Sequence, residues 1–358
     1  VSWSRATTGD YQNTLMNQDL LNLRVDEIKW ELPDVATFYL VNTGGKKVHY
    51  KAGQFITLVF NHHGEEVRRS YSLSSSPYED RLAITVKRIS NGEISRFLLT
   101  KVKVGDIIIA VKPAGVFTLR DEDIEAEKDI VFFAAGSGIT PVFSQLKYLL
   151  NQPGKSKAHL IYSSLDKQSI IFNNELNALA HKFPHRLNIT YLLSSDANRL
   201  NNLIVERLVN NQIVFSRDKA EFYLCGPFVY MRMIRLTLSY MGIEAQQIHK
   251  ENFVLETIAV TGSHTNYPPK TIRINFNNEL HNVVAGENQS ILQAALQNKI
   301  NLPYSCRSGI CSACIAFCKT GKVEMAKNEV LTDDDLAKGW ILTCTGHALT
   351  DDVEIEYK

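Results

Sequence analysis

The chain has 358 residues, 44% of them hydrophobic and 22% charged, with a formal net charge of +1. That length exceeds one ordinary core and favours two or three domains, and the composition excludes a disordered or fibrous chain. The near-zero charge supplies no bulk electrostatic reason to bind nucleic acid, and no apolar run reaches the roughly 18–20 residues needed to span a bilayer.

The polar start, residues 1–19, lacks the basic-then-apolar layout of a secretory signal, so a cytoplasmic address without membrane association is expected. From 19 to 123, short β-rich runs such as 55–60 and 82–86 are separated by Gly and Asn turns, which predicts an antiparallel β-barrel or sandwich. From 124 to 257, apolar strands at 130–135, 159–162 and 222–224 alternate with helix-like stretches such as 171–181, the pattern of an α/β domain with a parallel sheet. Residues 258–270 read as a linker, because Gly262, Ser263, His264, Thr265, Pro268 and Pro269 break all periodicity. A third, α+β domain fills 271–358, with strands expected at 271–276 and 353–357 and a short helix at 290–296.

Six cysteines stand at Cys225, Cys306, Cys311, Cys314, Cys318 and Cys344, five of them in the last quarter of the chain. Clustering of this kind in a long chain without an export signal points to a metal centre rather than a disulfide framework. Cys306, Cys311 and Cys314 have the spacing C-x4-C-x2-C, and Cys344 follows between two threonines. Four thiolates, two for each iron, are what a [2Fe–2S] cluster requires, and the spacing is the plant-type arrangement. Structural zinc, the bland alternative, favours paired C-x2-4-C knuckles, of which the segment has one. Ser305, Ser308, Gly309 and Ser312 suit a tight loop whose N–H groups donate to cluster sulfurs. Cys318 is left over as a bystander. The stretch from Pro303 through Tyr304 and Cys306 to Cys314 resembles the cluster loop of plant-type ferredoxins.

In Arg69-Ser70-Tyr71-Ser72 an Arg suits a phosphate, a Tyr an aromatic ring, and a small hydroxyl a ring nitrogen. Taken alone, an Arg and a Tyr on a half-exposed strand are usually structural. The tetrapeptide nevertheless matches the R-x-Y-[ST] motif of the ferredoxin–NADP reductase superfamily. That resemblance implies Arg69 at a flavin phosphate, Tyr71 against the isoalloxazine and Ser72 near N5. Val86, Lys87 and Arg88, followed by Gly92 and Ser95, resemble the superfamily's second flavin segment, where a glycine turn at a helix start meets a pyrophosphate. A pyrophosphate implies FAD, with FMN as the alternative. Pro113-Ala114-Gly115-Val116-Phe117 resembles the P-x-G-x-F close of the flavin domain.

Gly136-Ser137-Gly138-Ile139-Thr140-Pro141 follows an apolar strand and precedes a helix, so a nucleotide pyrophosphate can approach its backbone. It is similar to the superfamily's G-x-G-x-x-P, and Cys225-Gly226-Pro227 to its C-G-P element. By resemblance, Tyr71, Ser72 and Cys225 lie closest to the hydride path, with no acid–base chemistry assigned to Cys225. Ser163, Ser164 and Lys167 would favour a 2′-phosphate, Asp166 and Asp196 would oppose it, and Arg199 stands too far along the chain to be counted with them. NADH and NADPH both stay open, with family analogy alone favouring NADPH.

The domain order resembles that of bacterial oxygenase reductase components, particularly the phenylacetyl-coenzyme A epoxidase type, from about Leu20 onward. It implies a β-barrel flavin domain, an α/β nucleotide domain and a β-grasp ferredoxin domain. It further implies a hydride passed from NAD(P)H to FAD and single electrons passed through the cluster to a protein acceptor, an oxygenase. A hybrid-cluster protein or a desaturase as acceptor, or a redox-sensing binding protein, are the competing readings.

Overall fold

The computed structural model describes residues 3–4, 20–62, 65–89, 92–196, 199–253 and 266–357. The polar start, apart from Trp3 and Ser4, and most of the expected linker lie outside them. The chain divides into two compact units. One holds the described residues of 61–68 and of 253–358, with Trp3 and Ser4; the other holds those of 20–60 and 69–252.

Alternation of buried and exposed side chains builds the first sheet. Its strands are β1 (Trp3–Ser4), β2 (Leu20–Leu32), β3 (Val35–Asn42), β4 (Phe55–His62), β5 (Glu65–Ser72), β6 (Leu82–Lys87) and β7 (Ile107–Ala114). They run in the order β1-β4-β7-β2-β3-β6, with β5 paired to β4. Leu21, Leu23 and Val25 of β2 point inward while the residues between them are more exposed. Just past β5, Leu73 bridges Ile84 of β6 and donates its N–H to Gln54 at 2.9 Å, which closes the expected barrel. Helix α1 (Glu93–Lys101) buries Ile94 and Leu98.

The second sheet contains β8 (Asp129–Ala135), β9 (Lys157–Ser164), β10 (Leu187–Leu193), β11 (Ala220–Cys225) and β12 (Ile248–Glu251). All its pairs are parallel, in the order β10-β9-β8-β11-β12. The apolar run of β8 serves two cores at once. Ile130, Phe132 and Ala134 pack with α2 (Ile139–Asn151) and α3 (Asn173–Lys182), whereas Val131 and Phe133 pack with α4 (Asn202–Gln212) and α5 (Phe228–Tyr240). At about 1.5–3 kcal/mol for each large side chain fully buried, both faces of the strand contribute, so the run need not alternate. Helix α3 begins two residues later than the sequence pattern predicts. Phe172 adopts a left-handed backbone (φ 59°) and stacks on Phe143 with ring centroids 4.3 Å apart, so the residues before α3 are committed to packing.

Barrel and parallel sheet lie in one unit and share a junction. Gln145 of α2 donates to the Phe117 carbonyl at 2.7 Å, and the Phe117 ring meets Tyr223 edge-on at 5.5 Å. The 113–117 segment therefore closes the barrel by docking it on the nucleotide domain.

The C-terminal sheet comprises β13 (Lys270–Phe276), β14 (Glu279–Ala285), β15 (Ile315–Thr320), β17 (Trp340–Leu342) and β19 (Glu354–Glu356), in the order β14-β13-β19-β15-β17. A separate ribbon joins β16 (Val323–Met325) to β18 (Gly346–Ala348). Asn277 and Asn278, at φ 53° and 64°, form the two-residue turn between β13 and β14, a conformation that asparagine tolerates. Helix α6 (Ile291–Gln297) starts at a Ser290–Gln293 capping box and buries Ile291, Leu292, Ala294 and Ala295 in the core that holds Ile272, Ile274 and Ile355. A helix laid on a mixed sheet with β13 and β19 parallel at its centre matches the expected β-grasp. No helix among the described residues is long and apolar enough to cross a membrane.

At the start of β8, Asp129 is buried, 2.8 Å from His159 Nε2, and accepts N–H bonds from Val214 and Phe215 at 2.9 and 2.8 Å. Burial works to raise its carboxyl, but the His159 bond and charge and the two backbone donors outweigh it and hold the group below 3.8. Its contribution to stability is thus present above the unfolded carboxyl's range and lost as the pH falls through the lower folded value. Asp129→Asn is expected to destabilise the protein by about 2–3 kcal/mol at neutral pH. Urea unfolding at a series of pH values should show the gap between parent and variant narrowing below 3.8.

Candidate functional site

The strand order of the parallel sheet reverses at β8: β9 and β10 lie on one side of it, β11 and β12 on the other. Such a switch point leaves a crevice beyond the C-terminal strand ends. Here β8 runs into Gly136-Ser137-Gly138 and then α2, and β11 runs into Cys225-Gly226-Pro227 and then α5. A Cβ on Gly138 would overlap the Cys225 carbonyl, and one on Gly226 would press on the Ala135 Cβ at 2.9 Å. Only glycine lets the two turns meet backbone to backbone. Pro141 occupies the first turn of α2, where its missing N–H costs nothing, and the Thr140 hydroxyl donates to Ser137 at 3.0 Å. Tyr162 and Tyr230 hold the first turn in place by donating to the Gly136 and Ala134 carbonyls at 3.0 and 3.1 Å.

Beside these turns lies a cleft of about 740 Å³, whose lining includes Lys87, Gly136, Ser163, Ser164, Arg199 and Pro227. Asp166 lines it as well, with one carboxylate oxygen accepting from the Ser169 N–H and hydroxyl at 2.8 and 2.7 Å. Lys167 and Asp196 are exposed and lie outside the lining.

Arg69, Tyr71 and Ser72 stand on β5, also outside that lining. Arg69 is exposed, Ser70 has its hydroxyl 2.9 Å from that of Thr57, and Ser72 is buried. Burial pushes the Tyr71 phenol up, against the pull of the Arg69 charge. Val86 is buried in the barrel, while Arg88 is exposed and its N–H donates to Asp34 at 2.8 Å. Gly92 caps α1, as expected for a helix-start site. The Ser95 hydroxyl, however, turns inward: it accepts from the Ile89 N–H at 3.3 Å and donates to Gly92 at 3.1 Å, so it shapes the turn.

In the C-terminal domain, Ile315 at the start of β15 lies opposite Leu342 at the end of β17. That register brings Cys314 and Cys344 together despite their separation in sequence. Thr343 reinforces it, its N–H and hydroxyl donating to the Cys314 carbonyl at 3.2 and 3.1 Å. Cys306 and Cys311 come from the loop ahead of β15. In that loop Arg307, Gly309 and Ser312 take positive φ (54°, 71° and 52°), and a Cβ on Gly309 would collide with the Lys327 carbonyl. This winding turns N–H groups toward sulfur: Cys306 N–H lies 3.4 Å from the Cys311 Sγ, and Ser308 N–H 3.3 Å from the Cys306 Sγ. Among the described residues no three His, Cys, Asp or Glu side chains gather at a single ion position. The thiols meet in pairs, Cys306 with Cys311 and Cys344, and Cys344 with Cys314. Hydrogen bonds from Cys311 and Cys344 hold the Cys306 thiol far below its ordinary range. Cys318 stands apart on β15, with its thiol donating to the Thr320 carbonyl.

Three family models match the chain: an oxidoreductase FAD-binding domain over residues 22–119, an oxidoreductase NAD-binding domain over 132–236, and a 2Fe-2S iron-sulfur cluster binding domain over 274–348. The chain is 33% identical over 325 residues to the 3-ketosteroid-9-alpha-monooxygenase ferredoxin reductase component of Rhodococcus rhodochrous, an alignment covering 87% of this chain and 89% of that one. The chain belongs to this family of ferredoxin reductase components. It is also 29% identical over 348 residues to a component of the 1,2-phenylacetyl-CoA epoxidase of Escherichia coli (strain K12), covering 94% and 97% of the two chains. Phthalate dioxygenase reductase shares the fold, with a TM-score of 0.59 at 24% identity over 95% of this chain and 98% of that one.

As a ferredoxin reductase component the protein is an NAD(P)H oxidoreductase with FAD-binding, NAD-binding and [2Fe–2S] domains. Its residues suit those groups. Four convergent thiols with inward N–H donors match the ligand demand of two irons, and the methyl-excluding contact of Gly138 with the Cys225 turn leaves bare backbone at the crevice for a pyrophosphate.

Sequence reasoning missed Glu251. Strand β12 sets it opposite Cys225 on β11, at the edge of the crevice, and both side chains are buried. Burial alone pushes the Glu251 carboxyl up to about 8, and burial first, then the Glu251 charge, pushes the Cys225 thiol well up. An acidic residue closing the short run Ile248-His249-Lys250-Glu251 carries no local signal, because only pairing with β11 buries it. Since the folded protein retains the Glu251 proton after the unfolded chain has released it, stability falls as the pH rises from 4.5 to about 8 and is level beyond. Glu251→Gln, a neutral isostere, is expected to flatten that dependence and to exceed the parent in stability above pH 8; thermal unfolding of both proteins across this range checks it.

Proposed function

We propose that this ferredoxin reductase component serves an oxygenase, taking reducing equivalents from NAD(P)H at the β8–β11 crevice and releasing them one at a time from the Cys306/Cys311/Cys314/Cys344 centre. The observation that carries the reading is the convergence of those four thiols in a chain that also has a nucleotide crevice. The oxygenase partner rests on the relatives, which are named as components of steroid and glycine betaine monooxygenases and of a phenylacetyl-CoA epoxidase. When bound, FAD supplies the conversion of two-electron into one-electron chemistry, and the cluster supplies the one-electron relay.

The protein's own residues then orient and tune. Arg69 and Ser70 anchor the flavin phosphate end, Tyr71 covers the ring system, and Ser72 offers a hydroxyl near the hydride-accepting nitrogen. Gly92 caps α1, whose first-turn N–H groups would meet the flavin pyrophosphate; the Gly92 N–H itself donates to the Ile89 carbonyl at 3.0 Å, and Val86, Lys87 and Arg88 would support this segment from β6 and just beyond it. Gly136, Gly138, Thr140, Pro141, Gly226 and Pro227 cradle the nucleotide pyrophosphate, and Cys225 backs the nicotinamide end as a neutral, buried thiol. The working modules are residues 19–123, 124–257 and 271–358. Cysteines committed to a metal centre rather than to a disulfide framework suit a reducing, cytoplasmic compartment.

Anaerobic titration of the purified protein with NADPH or NADH, followed by visible absorbance and low-temperature electron paramagnetic resonance, tests the reading. Flavin bleaching together with a rhombic reduced-cluster signal is expected; a zinc-containing protein, or one whose flavin bleaches without any cluster signal, overturns it. Arg199 lines the cleft together with Ser163 and Ser164, and it is the cation we assign to a 2′-phosphate. Arg199→Ala should lower kcat/KM for NADPH by about tenfold and leave NADH within about twofold, as loss of a charge-assisted contact to phosphate requires.

A further inference from the structure

Thr343, directly before Cys344, is fully buried, and each of its polar atoms is engaged. Its N–H and hydroxyl both donate to the Cys314 carbonyl, at 3.2 and 3.1 Å, and its own carbonyl accepts from the Leu292 N–H of α6 at 2.9 Å. The same hydroxyl lies 2.7 Å from the Tyr357 hydroxyl. A threonine hydroxyl carries a single hydrogen. With that hydrogen committed to the Cys314 carbonyl, the Tyr357 phenol must be the donor in the shorter bond. The result is a directed chain from Tyr357 O–H to Thr343 O–H to the Cys314 carbonyl, in which each link polarises the next.

Tyr357 is held in place without that bond. It follows β19 directly, its N–H donates to the Asn275 carbonyl at 3.1 Å, its ring meets Phe276 edge-on at 5.6 Å, and it packs against the core of the C-terminal domain. Core packing accounts for the ring, and a phenylalanine would satisfy it. The hydroxyl needs another account, and it reaches the one residue that is bonded to Cys314 and adjacent in the chain to Cys344. All of these residues lie in a single compact unit. Donors aimed at the carbonyl of a ligand residue offset the partial negative charge of its oxygen, and so favour the form of a cluster that has gained an electron.

We propose that Tyr357 is a positioning residue for the iron–sulfur centre: its phenol fixes the Thr343 proton on the Cys314 carbonyl and thereby raises the potential at which the cluster accepts an electron. This deepens, and rests on, the reading that the four thiols hold a [2Fe–2S] cluster. Removing the phenolic oxygen leaves the ring packing, the Thr343 N–H bond and all four thiols in place. The cluster should therefore be retained while its potential falls.

The test uses the fully loaded parent protein, the variants Tyr357→Phe, Thr343→Val and Thr343→Ser, and the double variant Tyr357→Phe with Thr343→Val. In anaerobic redox titrations followed by low-temperature electron paramagnetic resonance, Tyr357→Phe should move the cluster midpoint to a more negative value. At the parent's midpoint its ratio of reduced to oxidised cluster should fall about threefold, as loss of one hydrogen bond requires. Thr343→Val should shift the midpoint at least as far, and the double variant no further than Thr343→Val, because the phenol acts only through the threonine hydroxyl. Thr343→Ser, which keeps that hydroxyl, should retain the parent's midpoint. Iron content and the rate of flavin reduction by NADPH or NADH should match the parent in Tyr357→Phe. An unchanged midpoint in Tyr357→Phe overturns the proposal, and so do shifts from the two single variants that add in the double variant. Loss of iron or of flavin reduction in Tyr357→Phe overturns it as well, since the phenol would then serve folding. A parent protein without a [2Fe–2S] resonance after dithionite reduction instead sinks the reading on which the proposal rests, before any variant is compared.

Discussion

Two backbone turns share a space too small for one methyl group, and the nucleotide-binding half of the molecule is arranged around that fact. The turn after β8 and the turn after β11 touch at Gly138 and the Cys225 carbonyl. They lie side by side because β8 and β11 are adjacent parallel strands whose connections depart to opposite sides of the sheet. Both turns lead straight into helices, so the first N–H groups of α2 and α5 gather at the same edge. Strand β8 can hold this central place because its alternate side chains are covered from both faces and Asp129 pins its first residue.

A different constraint governs the C-terminal domain. Four sulfurs from two distant stretches must converge, and the antiparallel pairing of β15 with β17 achieves this by bringing the two strand ends together. The loop between Cys306 and Cys314 must then turn tightly enough to point N–H groups inward, and it uses left-handed residues to do so. Only Gly309 among these has a backbone neighbour close enough to forbid a side chain; Arg307 and Ser312 take the same conformation as non-glycine residues. The thiols are thus gathered by sheet register and oriented by loop winding.

Much of this was legible beforehand, for reasons that can be named. The cysteine spacing is a statement about coordination, and coordination chemistry permits few solutions. The strands at 130–135 and 222–224 were visible because residues buried on both faces read as unbroken apolar runs, and the helix at 290–296 because Ser290 and Gln293 form a capping box. Other features were misplaced or invisible. Phe172 delays α3 by entering the left-handed region to reach Phe143, a contact that no local pattern announces. No local pattern announces that the Ser95 hydroxyl is spent inside its own turn, or that Phe117 docks against Tyr223.

The sequence by itself determined the chemistry: residue types at set spacings dictate which metal centre, which phosphate turns and which strand periods are feasible, since these depend on neighbours a few positions apart. The tertiary structure alone decided which side chains lose contact with water. Glu251 is an ordinary acidic residue until β12 pairs with β11 and buries it opposite Cys225. Tyr357 and Cys314 have no local relation in the chain and are linked through Thr343 only when β17 and β19 both pair with β15. Burial and charge pairing act across space, and their energies appear only once the chain has folded.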